Sequence, residues 1–183
     1  MSQTIYIVLT ETGSLLSKAI QLYTQERFNH VSIAFDAELK EMYSFGRKYE
    51  HNPWIGGFAE ENVRGNLLQY ANCAIYAYEV SDEQYRHLRS QIRYFQQNAH
   101  LYRYNFLGLL CIACRIQWKR QRAYFCSQFI ATLFENARIS TNFNIYFIRP
   151  TEFAKLPGTK LIYKGLMKHY IQEPNWLTVG GIG

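Results

Sequence analysis

The feature that most constrains this chain is the alternation in FNHVSIAFD (28–36), where Val31, Ile33 and Phe35 are apolar and His30, Ser32 and Ala34 fall between them. Successive strand side chains point to opposite faces, so a period of two predicts a half-buried strand with His30 on its polar side. The polar turn DAELKE (36–41) and a second apolar run, MYSFG (42–46), follow at once, which predicts an antiparallel hairpin.

Around this hairpin the remaining pattern is mixed. IYIVLT (5–10) reads as a strand, and SLLSKAIQLYTQ (14–25) as a helix with Ser14 as its N-cap. Residues 47–72 carry Asn-Pro and Gly-Gly and read as irregular, a loop packed down through Trp54, Ile55 and Phe58. CAIYAYEV (73–80) is a further strand, and SDEQ (81–84) is a capping box that opens a helix running to about Gln97. Another helix is expected over 105–118 and a third from near Cys126 through IATLFENA. After a loop, PTEFAKLPG, the segments KLIYKG and LMKHYI read as two strands around Gly165. The expected class is α+β, an antiparallel sheet packed against segregated helices. A chain of 183 residues suits one domain, 1–183, at about 150 residues per domain.

Composition narrows the functional classes. The net charge of +6 fits a polyanionic partner, a membrane surface or a basic enzyme, and the dispersal of Lys and Arg favours the enzyme. The densest basic cluster is Arg115, Lys119, Arg120 and Arg122; it is expected at a solvated helix end, and no nucleic-acid motif accompanies it. The longest near-apolar run, FLGLLCIAC (106–114), is far below the ~20 residues a spanning helix needs, so no transmembrane segment is expected. The N-terminus shows no export signal, and four cysteines do not form a secreted disulfide framework, so a cytoplasmic protein is expected.

Two residues carry the chemical interest. In AYFCSQFI (123–130), Cys126 falls where a helix is expected to start. Thiols at helix starts ionise more readily because unpaired N–H groups and the helix dipole favour the anion, and the same N–H groups can hold an oxyanion. A buried structural thiol is the competing reading. His30, on the polar side of its strand, is the natural base, against the reading of an ordinary strand histidine. Cys73 reads as a buried thiol, and the Cys111/Cys114 pair as mid-helix packing, because no second CxxC or histidine stands at zinc-ligand spacing. His51, His87, His100 and His169 sit in loop or solvated contexts. No metal-binding spacing, P-loop, dinucleotide fingerprint or GxSxG elbow occurs, so neither metal nor cofactor is expected.

FNHVSIAFD with MYSFG, followed 96 residues after the histidine by Cys126 in AYFCSQFI, resembles the permuted papain-like branch of the NlpC superfamily. Its YiiX/YebB-type bacterial proteins are the group most resembled, with the lecithin–retinol acyltransferase proteins as relatives. The resemblance covers 28–46 and 120–136, and more loosely 149–165. It implies a permuted papain-like fold with Cys126 as nucleophile and His30 as general base. The third, orienting group belongs on the strand after the histidine strand, where Ser44 aligns best and Glu41 and Tyr43 are alternatives.

The chemistry implied is acyl transfer through a Cys126 thioester, by a hydrolase (peptidase or amidase) or an acyltransferase. The substrate would be a small molecule or peptide: a cell-wall peptide fragment, another amide, or a lipid acyl group. Tyr124 is a candidate helper at the oxyanion, and Trp54, in a mobile lid loop, a candidate wall of the substrate cleft. The second reading is a catalytically silent basic module for an anionic membrane surface or nucleic acid. Oligomeric state is left open.

Overall fold

β1, Ser2–Glu11, is flanked by antiparallel partners on both sides. On one side lie β2 (His30–Ala34), β3 (Met42–Tyr49) and β4 (Asn52–Glu60); on the other lie β5 (Asn72–Ser81) and β8 (Lys160–Leu166). They form a six-stranded antiparallel sheet in the order β4-β3-β2-β1-β5-β8. Helices α1 (Asp82–Gln97), α2 (Cys126–Asn136) and α3 (Met167–Gln172) complete an α+β fold with a minor parallel pair, β6 (Arg103–Tyr104) and β7 (Ala123–Tyr124). The computed structural model describes residues 1–11, 26–49, 52–105, 122–141, 143–145 and 147–172, without the side chains of 47–49 and 52–55. The helices expected over 14–25 and most of 105–118 lie outside the described residues, as do Cys111, Cys114, His51, Arg115, Lys119 and Arg120.

Both faces of the sheet are covered. Ile5, Ile7, Leu9, Val31, Ile33 and Phe45 pack against Leu88, Ile92 and Phe95 of α1 and Phe129, Ile130, Leu133 and Phe134 of α2. On the opposite face Val8, Ala34, Met42, Cys73 and Ile75 meet Leu39, Val63, Leu68, Met167 and Tyr170. This second layer changes the reading of β2. The alternating run predicted one solvated face, yet all five residues from His30 to Ala34 are buried. His30 and Ser32 therefore sit in the interior, where a polar side chain needs a partner.

Three further segments depart from expectation. The stretch read as a loop over 47–72 instead extends β3 to Tyr49 and supplies the whole of β4. Its Pro53 and Gly-Gly pair are tolerated because β4 is the sheet edge, where one side of the strand has no ladder to keep. WIGGF is thus strand rather than lid, with Trp54 on β4 and its side chain outside the described set. PTEFAK forms a 3₁₀ helix, Pro150–Lys155. LMKHYI, read as a strand, becomes α3, because Met167 and Tyr170, one helical turn apart, both enter the second core. The Ser81–Gln84 capping box and its helix form as the sequence predicts. Among the described residues no helix is long and apolar enough to cross a membrane.

β4 is held by close backbone approach. A Cβ built on Gly56 would lie 2.6 Å from Tyr104 Cβ and 2.9 Å from the Gly46 carbonyl oxygen. Neither neighbour is the free end of a flexible side chain, so the strand or β6 would have to shift. Gly56→Ala is expected to destabilise the fold by about 1–3 kcal/mol, the usual range for overpacking. Chemical denaturation at constant m-value measures this, and an unchanged midpoint would show that the β4–β6 contact is looser than described.

Candidate active site

The site grows from the place where β2 and β3 part. Their ladder holds only Ile33↔Tyr43 and Ala34↔Met42. Continued in the same register, it would set Ser32 opposite Ser44 and His30 opposite Gly46, but those pairs are not formed. The α2 helix packs on both strands, with Cys126 as its first residue.

His30, 9% exposed, is met there by a carboxylate. Its Nε2 donates to Glu61 Oε1 at 2.7 Å, and the other carboxylate oxygen, Oε2, accepts from the Ser32 hydroxyl. Glu61 directly follows β4 and is tied down by its own N–H, which donates to the Met42 carbonyl at 2.8 Å. Gly46 lies beside the pair without a side chain: a Cβ there would stand 3.4 Å from His30 Cε1 and 3.8 Å from Glu61 Oε1, in ordinary contact with both. The carboxylate thus crosses a position on β3 that carries no side chain.

Cys126 also acts on the imidazole, through its charge and a side-chain hydrogen bond. Because Nε2 is engaged by Glu61, Nδ1 is the nitrogen left for the thiol. Burial drives the imidazole pKa down, but Glu61 and Cys126 together outweigh it and hold the value well above the ordinary 6.5. Glu61 mirrors this. Burial drives its carboxyl up, while His30 and then Ser32 outweigh that and leave it below 4.5. The pair is therefore ionised despite its burial.

The start of α2 is open to chemistry. Phe125, its N-cap residue, provides no side-chain cap, so the first-turn N–H groups are not satisfied by a capping side chain. Ser127 fastens the same turn by donating to the Ile148 carbonyl at 2.7 Å. Cys126 is 4% exposed and free; Cys73 is also free but fully buried, and burial pushes its thiol up to about 12.

The expected residues divide accordingly. His30 and Cys126 are brought together. Ser44, expected to orient His30, does not reach it: its hydroxyl donates to the Val31 carbonyl at 2.7 Å, closing the gap where the ladder opens. Of the alternatives, Glu41 accepts from Arg89, and the Tyr43 ring packs between Phe35 and Phe58. The ring of Tyr124 lies in an aromatic cluster with Phe45, Phe95, Tyr102 and Phe129, on the packing side of the site. Arg122 is the member of the basic cluster within the described residues, and it is exposed. No group of three or more metal-ligating side chains occurs among the described residues. Glu61 is what the sequence reading missed. The available signal was the Glu60–Glu61 doublet at the exit of a Gly-Gly segment, hidden once that segment was read as loop.

The two pKa directions give a pH signature. His30 binds its proton more tightly when folded, so its contribution is complete below 6.5 and lost as pH rises through the raised folded value. Glu61 contributes fully above 4.5 and loses this as pH falls through its lowered value. Glu61→Gln should thus cost most between 4.5 and 6.5. The expected loss is about 3 kcal/mol, the scale for breaking a buried pair. Denaturation across pH and the NMR titration of His30 measure it. The His30 midpoint should fall in Glu61→Gln, and an unmoved midpoint would refute the pairing.

A scan against models of known protein families finds no match to this chain, and a search of curated proteins finds none either.

Proposed function

We propose that this chain is a cysteine-dependent hydrolase or acyltransferase, with Cys126 as nucleophile, His30 as base and Glu61 as the group that orients and charges the imidazole. The observation that carries this is one buried imidazole that holds a carboxylate on Nε2 and interacts with a thiol at the first residue of a helix. The imidazole thus interacts with two groups of opposite use, a carboxylate that supports its charge and a thiol that can become the nucleophile.

The chemistry follows from that order. With the Cys126 proton already held on His30 as an imidazolium–thiolate pair, the sulfur attacks an amide or ester carbonyl to form a carbon–sulfur bond. The first-turn N–H groups of α2, that of Cys126 foremost, face the negative charge that builds on the carbonyl oxygen. As the carbon–nitrogen or carbon–oxygen bond breaks, His30 returns the proton to the leaving group, releasing an amine or alcohol. Water, or an acceptor amine or hydroxyl, then gives its proton to the now neutral His30 and displaces the sulfur, which leaves as thiolate and restores the imidazolium–thiolate pair. Glu61 stays ionised throughout, supporting the imidazolium at both stages.

The arrangement supports the permuted papain-like reading, in which the histidine strand precedes the cysteine helix. Small peptides, other amides and lipid acyl groups are the substrate classes that fit. We place the reaction in the cytoplasm, a reducing compartment where a nucleophilic thiol stays free.

Labelling with iodoacetamide across pH, followed by peptide mapping, tests the proposal. Cys126 is expected to be modified well before Cys73, whose thiol sits near 12. His30→Ala should slow Cys126 labelling at neutral pH by at least about tenfold, because the imidazolium is what stabilises the thiolate. Equally slow reaction of all four cysteines would overturn the reading.

A further inference from the structure

Glu61 has two carboxylate oxygens, and the structure gives each one a different duty. Oε1 accepts from His30, while Oε2 accepts from Ser32, a residue with no exposed surface. Ser32 sits on β2 opposite Val8, two residues beyond His30, so the same strand presents both donors to one carboxylate. The Glu61 side chain is only 12% exposed, and little water is available to replace a lost donor.

These facts make the serine more than a satisfied core hydroxyl. A carboxylate held by one oxygen can turn about its terminal bond; one held by both cannot without losing a charge-assisted bond. Gly46 removes the steric wall that would otherwise fix its position, since the space beside His30 Cε1 and Glu61 Oε1 is open to a small shift. With no wall at 46, the second hydrogen bond is what fixes the carboxylate. The backbone anchor at Met42 fixes where the residue begins, not how its carboxylate is turned.

We propose that Ser32 is a positioning residue for the Cys126–His30 pair, one that locks the Glu61 carboxylate edge-on to His30 Nε2 across the gap left by Gly46. This rests on the cysteine-enzyme reading given above. Ser32 touches neither the thiol nor the reacting carbonyl; its influence passes through Glu61 to His30. The titratable groups that act on the cluster are its own members His30, Glu61 and Cys126. Burial already favours the neutral carboxylic acid, so loss of the Ser32 donor moves Glu61 toward protonation and weakens its hold on the imidazolium.

A double-mutant cycle separates this role from a packing one. Ser32→Ala removes one oxygen and adds no atoms, so the fold is expected to form, with circular dichroism as the check. In the wild-type background Ser32→Ala should lower the His30 NMR midpoint and slow Cys126 labelling by iodoacetamide at neutral pH. The expected decrease is about tenfold, the size of one hydrogen bond to a charged group. In a Glu61→Gln background the same substitution should change neither quantity, because the carboxylate it acts through is gone. An equal effect in both backgrounds, or none in the wild-type background, overturns the proposal while leaving fast labelling of Cys126 intact. Slow labelling of Cys126 in the wild-type protein would instead strike at the enzyme reading itself.

Discussion

The ion pair between His30 and Glu61 is the interaction on which the site depends. Bringing either charge into the space between two core layers is costly, since desolvation of a single buried ion is worth several kcal/mol. The structure offsets this with paired charge and hydrogen bonds, Nε2 to Oε1 and Ser32 to Oε2, with Cys126 adding to the hold on the imidazolium. Such a pair adds little to net stability compared with an apolar replacement. What it supplies is an imidazole fixed in one orientation and biased toward its charged form.

That orientation in turn depends on the departure of β3 from β2. Had the ladder continued past Ile33↔Tyr43, Gly46 would have been a regular strand neighbour of His30, with no room for a carboxylate from beyond the strand. Instead the ladder stops, Ser44 satisfies the freed Val31 carbonyl, and the end of β4 supplies Glu61. The hydroxyl assigned by resemblance to orient the base therefore has a different task. It repairs the sheet at the opening beside His30.

Much of the fold was legible in the residues themselves. The 28–46 hairpin follows from alternation and its polar turn, α1 from a capping box, and the start of α2 from AYFCSQFI. What escaped has a common cause: tertiary cover that overrides local pattern. His30 and Ser32 read as solvated because nothing in 28–36 announces the second core of Val63, Leu68, Met167 and Tyr170. β4 read as loop because glycine and proline normally break strands, and only its edge position and the approach of Tyr104 make them acceptable. Glu61 was lost with β4, since a residue after an unrecognised strand has no predictable face. His30 and Cys126 survived because each lies at the start of an element whose signal is local.

The dependence of Glu61 on β4 joins the sheet edge to the chemistry. Strand side chains alternate, so a one-residue slip of β4 along β3 would turn Glu60 toward the position Glu61 now occupies. Glu60 is exposed where it stands, opposite Tyr43. A slip would therefore replace Glu61 by Glu60 and carry the Glu61 N–H away from the Met42 carbonyl. The glycines resist this movement. Gly56 lies against Tyr104 and the Gly46 carbonyl, and Gly46 is paired with Gly57, so the register is set at the same residues that clear space for the carboxylate. Small residues here do two jobs at once: they let β6 clamp an edge strand, and they let that strand deliver a charge to the far side of its neighbour. A larger residue at 56 would press on Tyr104 and the Gly46 carbonyl, which ties the accuracy of the site to the packing of the edge rather than to the central strands.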